Sequence, residues 1–363
     1  MTKILKNNLI HLSILLIVIF LFSCNSILRD DKGEKIYNGN LRINETDKIE
    51  TLYPPKVKEL SSIRAILQIH EGLVKYDVRT LSIKPALAYR WEEDTLNKTI
   101  TFFMRPNVRF CDDKCFPNSR GRKITAYDFE YSIINYLLDA DTSYAIYEAL
   151  DIIKGIDIAK KDLKYNTNPS VEGIKVLNDT VIKIFAVNNT SYLLYLLANP
   201  VLSVIPKEAV ELYGENLLFG TGPFYCSTTP QNTEKLILLK NKNYYGKDDY
   251  GNKLPFLDSI TISFHTAATR EMRLFIEDQL DIVFNLRSDY ISDFVKNNIS
   301  KFEMNPPAYI LSRTERIGYK GEYNIMKSYV NGLYTNKMDY VDFSYVYFKQ
   351  PEERTNYSDA IEP

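Results

Sequence analysis

The four residues Gly220-Thr221-Gly222-Pro223 constrain this chain most tightly. Glycine allows backbone conformations and close approaches that a Cβ forbids. Proline locks its own φ at about −65° and removes one N–H. A glycine turn cradles phosphate when its N–H groups point inward and a helix N-terminus stands behind them. Neither condition holds here. Pro223 has no N–H to give, and Cys226 to Asn241, "CSTTPQNTEKLILLKN", reads as a loop and then a strand. No Lys-Ser/Thr pair follows the glycines. A nucleotide site is excluded, and the turn serves to fix a backbone path into a strand.

Around that turn, strands and helices interleave. Asn40 to Thr46 reads as a short strand followed by polar residues. Ser61 to Asp77 opens with a Ser cap and carries Ile63, Ile66, Leu67 and Ile69 at helical spacing. Lys98 to Phe110 is β-branched and aromatic, a strand and then a turn. Thr125 with Asp128 three residues on is a capping-box pattern, and Phe129, Ile133, Tyr136 and Leu137 follow on one helical face. Two β-rich runs around Asn178-Asp179 predict a hairpin. "SYLLYLLAN" is a short apolar helix, Lys235 to Asn241 and Leu257 to Phe264 are strands, and Ala268 to Leu286 is a helix running into a strand. The expected class is mixed α/β with several small sheets and no clean βαβ repeat.

Charge and titratable groups narrow the function. Lys plus Arg is 45 against 46 Asp plus Glu, which gives no basic stripe for nucleic acid. The 27 tyrosines suit an amphipathic binding cleft, although a coding bias toward Tyr, Ile, Asn and Lys would raise them equally. A Ser-His-Asp arrangement needs a usable histidine. Only His70 and His265 stand outside the N-terminal apolar run, and His70 beside Ile69 reads as a packed or surface residue. Adjacent acids such as Asp112-Asp113 or Glu92-Glu93 sit in polar turns and read as solvated. No enzyme, cofactor or metal site is expected. Cys111 and Cys115 can close a small disulfide loop if a turn brings their Cα atoms within about 7 Å. A zinc site would need two further ligands that the neighbouring sequence does not supply.

The N-terminus carries an address. Lys3 and Lys6 precede a mostly apolar run, Leu9 to Phe22, of about 14 residues, too short to span a bilayer comfortably. It ends in Leu21-Phe22-Ser23-Cys24, which resembles a bacterial lipobox. That resemblance implies a signal peptide over 1–23, lipidation of Cys24, and anchorage of the chain in the cell envelope, facing the periplasm or the exterior. Residues 24–39 are polar and read as a flexible tether.

Several motifs then occur in order. Glu71-Gly72-Leu73, Tyr76-Asp77, Pro85-Ala86-Leu87-Ala88, Trp91 and Arg105 to Phe110 are followed by Lys123 to Ile133, "LLANPVLSVIPKEAVELYG", the Gly220–Pro223 turn, "NKNYYG", "LDSITISF" and "FIEDQLDIVFNL". The ordered set resembles the extracellular solute-binding proteins of family 5, which serve peptide- and nickel-type ABC importers. In the last motif Gln279 stands where glycine is common.

The resemblance implies a periplasmic binding protein-like type II fold. A discontinuous first lobe would comprise 40–60, 165–265 and 325–350, with an inserted subdomain over 61–164. A reduced second-lobe remnant would span 266–324, and 351–363 would form a tail. Only a short stretch separates Leu286 from the ending "KSYVNGLYTNKMDYVDFSYVYFK", so most of the second lobe is expected to be missing, by an internal deletion. The implied function is capture of a solute, an oligopeptide foremost, for an ABC permease and its ATPase subunits, a capture that loss of much of the second lobe would impair. The alternative is a non-transporting envelope lipoprotein that uses the retained lobe as an interaction surface. The expected ligand-facing residues are Asn44, Glu45 and Thr46 in the loop after the first strand, with Gly220, Thr221 and Gly222 shaping the turn near the lobe junction.

Overall fold

The computed structural model describes residues 39–77, 80–166, 168–230, 234–248 and 250–287, with shorter runs at 302–305, 322–327, 330–331, 342–345 and 347–348. The expected signal peptide, Cys24, the tether up to residue 38 and the tail 351–363 lie outside the described residues. Among the described residues no helix is long and apolar enough to cross a membrane.

The first sheet has the order β1-β10-β9-β8. Its strands are β1 (Asn40–Glu45), β8 (Phe224–Cys226), β9 (Lys235–Lys240) and β10 (Ser259–Phe264). β1 runs parallel to β10, with Asn40 opposite Ser259 and Glu45 opposite Phe264. Side chains alternate across a strand, so Leu41, Ile43, Leu236, Leu238, Ile260 and Ile262 all turn into the core. Ser259 Oγ and Asn40 Oδ1 lie 2.9 Å apart across 219 positions of chain. The first sheet therefore joins stretches that lie far apart in the chain. The turn Gly220–Pro223 does feed a strand, β8.

The second sheet has the order β4-β5-β7-β6, from β4 (Ala88–Asp94), β5 (Thr99–Met104), β6 (Ile174–Asn178) and β7 (Val181–Phe185). The hairpin expected around Asn178-Asp179 is the β6–β7 pair. A small antiparallel pair, β2 (Val74–Tyr76) with β3 (Ile83–Pro85), precedes it. Against β6 lies the helix Ala126–Asp139. It opens with the predicted capping box: Thr125 N–H donates to Asp128 Oδ2 at 2.7 Å, and its buried face carries Phe129, Ile133, Tyr136 and Leu137.

The structure moves three boundaries. Residues 174–185 complete the sheet that holds β4 and β5, so the break placed at 164/165 divides elements that a continuous ladder joins. The helix α1 (Leu60–Ile69), expected inside the inserted subdomain, packs on β8 of the first sheet. α1 also begins before its expected Ser cap: Glu59 is the cap, without a side-chain bond, and Ser61 and Ser62 are buried in the first turn. The pull of Ala65, Ile66 and Ile69 into the core fixes that start, and the serines are carried in with them.

Beyond β10 comes α2 (Ala268–Ile276), then β11 (Ile282–Arg287). Met272, Phe275, Leu280 and Val283 pack into a small core of their own. β11 joins a three-stranded antiparallel sheet with β12 (Phe302–Asn305) and β13 (Glu322–Lys327), in the order β11-β13-β12. β13 therefore straddles the expected 324/325 boundary. The chain comes back to the main core at Phe343, which is buried and whose N–H donates to Gln68 Oε1 at 3.0 Å. In the turn between α2 and β11 the left-handed residue is Asp278, φ 58°, one position before the Gln279 singled out in the sequence. Aspartate tolerates that region better than most side chains.

Cys111 and Cys115 are free thiols, so the disulfide open to them is not formed. Each backbone is tied elsewhere: Cys111 N–H donates to Gly220 O at 2.9 Å and Cys115 N–H to Asp113 Oδ1 at 2.8 Å. Burial pushes the Cys111 thiol up to about 12. Burial and the neighbouring Asp113 do the same for Cys115. Exchange runs through thiolate, so both are poorly reactive as folded.

Candidate functional site: the end of the first strand and the motif junction

Asn44 and Glu45 are the last two residues of β1 rather than loop residues, and both are buried; Thr46, next along, is exposed. Asn44 holds the chain where it leaves β10. Its Nδ2 donates to His265 O at 3.0 Å, and its Oδ1 accepts from His265 N–H at 2.8 Å. The same Nδ2 reaches Glu271 Oε1 on α2 at 3.0 Å. Glu45 forms a two-pronged pair with Arg64 of α1, Nε–Oε1 2.8 Å and Nη2–Oε2 2.5 Å. Arg64 also lies over the Phe284 ring, 5.4 Å from its centroid. On the neighbouring residue pair, Asp281 at the start of β11 receives Arg42 N–H at 2.7 Å and Arg42 Nη2 at 2.6 Å, and returns its own N–H to Arg42 O at 2.8 Å. β1 is thus clamped to both ends of the α2 crossover.

Two of the three expected ligand-facing side chains are engaged inside the protein. The Glu45 carboxylate is neutralised inside the protein and the Asn44 amide is committed to His265 and Glu271. Both set the crossover. Of the three, Thr46 is the one whose side chain faces solvent.

Gly220, Thr221 and Gly222 belong to a second place, where the sequence motifs converge. A Cβ on Gly220 would come within 2.6 Å of His70 Nδ1, and one on Gly222 within 2.6 Å of Gln68 O. Gly222 N–H donates to Ile69 O at 2.9 Å. The turn is pressed onto the last turn of α1. Asn241 Nδ2 donates to Gly222 O at 2.8 Å, and Tyr245 Oη donates to Glu71 Oε1 at 3.0 Å. Arg105 lies over the Tyr245 ring at 5.0 Å and donates from Nε to Ala86 O at 2.8 Å. Residues far apart in sequence therefore form one knot between the first sheet and the second.

Burial sets the electrostatics of both places. It pushes the Glu71 carboxyl up to about 7, with Lys75 and then the Tyr245 and Thr221 hydroxyls pulling the other way. Thr221 Oγ1 is thus near enough to act on the carboxyl, yet it has no hydrogen bond of normal geometry, and neither has Glu71 Oε2. Burial likewise raises Glu271 to about 7; Asn44 opposes the shift and Glu45 adds to it. His70 is held down to about 3 by burial. Its Nε2–H faces Leu52 O at 3.2 Å, an acceptor, so the neutral ring carries its proton on Nε2.

A pH dependence follows. A carboxyl raised in the folded state binds its proton more tightly there than in the unfolded chain. Its contribution is complete below the ordinary value of 4.5 and is lost as pH climbs to about 7. Glu271→Gln keeps the acceptor for Asn44 and removes the titration. Urea unfolding across that window is expected to show wild type losing on the order of 2–3 kcal/mol relative to the variant. Parallel curves would refute the shift.

Sequence reasoning reached Asn44, Glu45 and the glycines but missed Arg64, Glu271 and the chemistry of Glu71. Arg64 and Gln68, four residues apart on a helix that is apolar beyond its first-turn serines, were the available signal. Nothing local marks Glu271 as the partner of Asn44.

Comparison with known proteins places this geometry. The model for bacterial extracellular solute-binding proteins, family 5 middle, matches residues 82–327, and the chain belongs to that family. It is 25% identical over 250 residues to the periplasmic oligopeptide-binding protein OppA of Salmonella typhimurium, covering 67% of this chain and 42% of that one. The dipeptide-binding protein DppE of Bacillus subtilis is 25% identical over 263 residues, 69% of this chain and 43% of its own. Among solved structures, the Escherichia coli murein tripeptide binding protein MppA superposes with a TM-score of 0.61 at 21% identity, covering 76% of this chain and 51% of that one. A periplasmic oligopeptide-binding protein of Borrelia burgdorferi, OppAIV, gives 0.61 at 23% identity, with 75% and 51% covered. The fold is the mixed α/β fold of periplasmic binding proteins, as expected. The chain spans about half the length of these solved relatives and less than half of the two curated ones.

Proposed function

We propose that this chain is the substrate-binding lipoprotein of a peptide-type ABC importer, anchored through Cys24 and presenting a captured oligopeptide to a permease with its ATPase subunits. Membership of the solute-binding family carries the reading. The clamped crossover at the end of β1 supports it, because a protein that closes on a ligand needs its connecting segments held in register with the first body. In this reading Thr46 contacts the solute, Asn44 and Glu45 fix the crossover, and Gly220, Thr221 and Gly222 hold the junction between the sheets.

Titration calorimetry of the purified chain with mixed di- to pentapeptides is expected to give saturable heat, and the same peptides to raise the melting temperature. The absence of both heat and shift would overturn the importer reading. The alternative is a non-transporting envelope lipoprotein that uses its first body as an interaction surface. That reading expects the peptide titration to be silent.

A further inference from the structure

The sheet β4-β5-β7-β6 has one face in the core and one turned out. Ile100, Phe102 and Met104 of β5, Ile182 and Ile184 of β7 and Ile174 of β6 point inward and are buried. The residues between them form the outer face, and the ladder sets them in rows. One row reads Glu92, Thr101, Lys183, Lys175 across the four strands. The next reads Arg90, Phe103, Val181, Asn178. Arg90, Glu92 and Lys175 are exposed, and Thr101, Phe103, Val181 and Lys183 are half-buried; Thr99, at the start of β5, is buried.

The charges on this face do not balance locally. Lys183 and Lys175 are direct cross-strand partners, and like charges so placed repel. Among the described residues neither lysine has a salt bridge, and Asp94 and Glu130 act on them only at longer range. The acid of the same row, Glu92, stands at the opposite edge. Three strand spacings put it about 14 Å from Lys175, beyond reach within one molecule. Its carboxylate, 62% exposed, pairs with Arg90 and has capacity for further donors. The Arg90 guanidinium also lies over the Phe103 ring, 3.5 Å from its centroid. An arginine stacked on an aromatic ring is the kind of surface that interfaces favour.

An acid at one edge and lysines at the other, in one row, are self-complementary under a two-fold axis parallel to the strands. Placed midway between β5 and β7, that axis keeps each row at its own height and exchanges the edges. Glu92 of one copy then meets Lys175 of the other, Thr101 meets Lys183, and Phe103 meets Val181. Facing sheets pack about 10 Å apart with strands within about 30°, a gap that glutamate and lysine side chains span together. A uniformly acidic partner or an anionic lipid surface would serve the lysines but set Glu92 against its own sign. We infer that the outer face of this sheet binds the same face of a second copy of this chain, as an isologous pair with Glu92 on Lys175 twice over. The inference rests on the second sheet alone and stands apart from peptide capture.

The test is sedimentation velocity of the full chain in mild detergent, as wild type, as Glu92→Lys, as Lys175→Glu, as the double variant, and as the two single variants mixed. Both positions are exposed, so all are expected to fold, which circular dichroism checks. Wild type is expected to dimerise with a Kd on the order of micromolar. Each single variant sets like charges together at both symmetric contacts and is expected to weaken association about 100-fold. The double variant and the equimolar mixture restore opposite signs at every contact, and both are expected to recover the dimer. A wild type that stays monomeric at about 0.1 mM, a dimer unmoved by the single substitutions, or dissociation that the double variant and the mixture do not reverse overturns the inference.

Discussion

Arg64→Ala is expected to lower the unfolding free energy by about 3–5 kcal/mol, the usual cost of stripping one partner from a buried ion pair. The side chains of Arg64 and Glu45 are 8% and 4% exposed, so water does not screen the carboxylate left behind. Glu271 stands close enough to Glu45 for the two carboxyls to repel. The lost guanidinium also uncovers the Phe284 ring. Equilibrium urea unfolding measures the loss, and a fall below about 1 kcal/mol would mean that the pair is solvated. Replacing both partners, Glu45→Met with Arg64→Met, is expected to recover most of the loss, because an apolar pair of similar volume needs no counter-charge.

The second large effect is at the turn. Gly222→Ala is expected to cost about 3 kcal/mol, the upper end of ordinary overpacking. The new Cβ would meet Gln68 O at 2.6 Å and Ile69 C and O at 2.7 Å, all backbone. No rotamer change relieves such a clash. The helix end cannot retreat without breaking Gly222 N–H to Ile69 O, nor the turn without losing Asn241 from Gly222 O. Gly214→Ala is the control: nothing lies within 4 Å of its Cβ, and only its φ of 58° is strained. Its expected cost is about 1 kcal/mol. Equal urea midpoints for the two variants would show that the α1 contact yields.

What could be read from sequence was local. The Thr125–Asp128 capping box, the hairpin at Asn178-Asp179 and the Gly-Pro turn into β8 each depend on neighbours a few residues away, and each stands as read. The boundaries between bodies depend on which strands pair across long separations, and there the reading failed: β6 and β7 look the same in sequence whichever sheet receives them. The site divided in the same way. The sequence marks Asn44 and Glu45 as residues that matter, but their partners Glu271 and Arg64 are fixed by folding and leave no local signal. The ordered motifs marked Glu71, Thr221, Asn241 and Tyr245 without revealing that they touch.

The parallel pairing of β1 with β10 has a consequence for the order of events when the chain is made or threaded N-terminus first. β1 emerges early, and its only described strand partner follows some two hundred residues later. Until β10 arrives, Leu41 and Ile43 have no sheet to join, and an unpaired apolar edge invites association with other chains. Completion of the first body must therefore wait for Phe264, whatever has already formed between the two strands. That is a slow, high-contact-order step, and a holding factor that shields residues 40–45 during that wait would speed recovery of the folded protein more than one acting on any later strand.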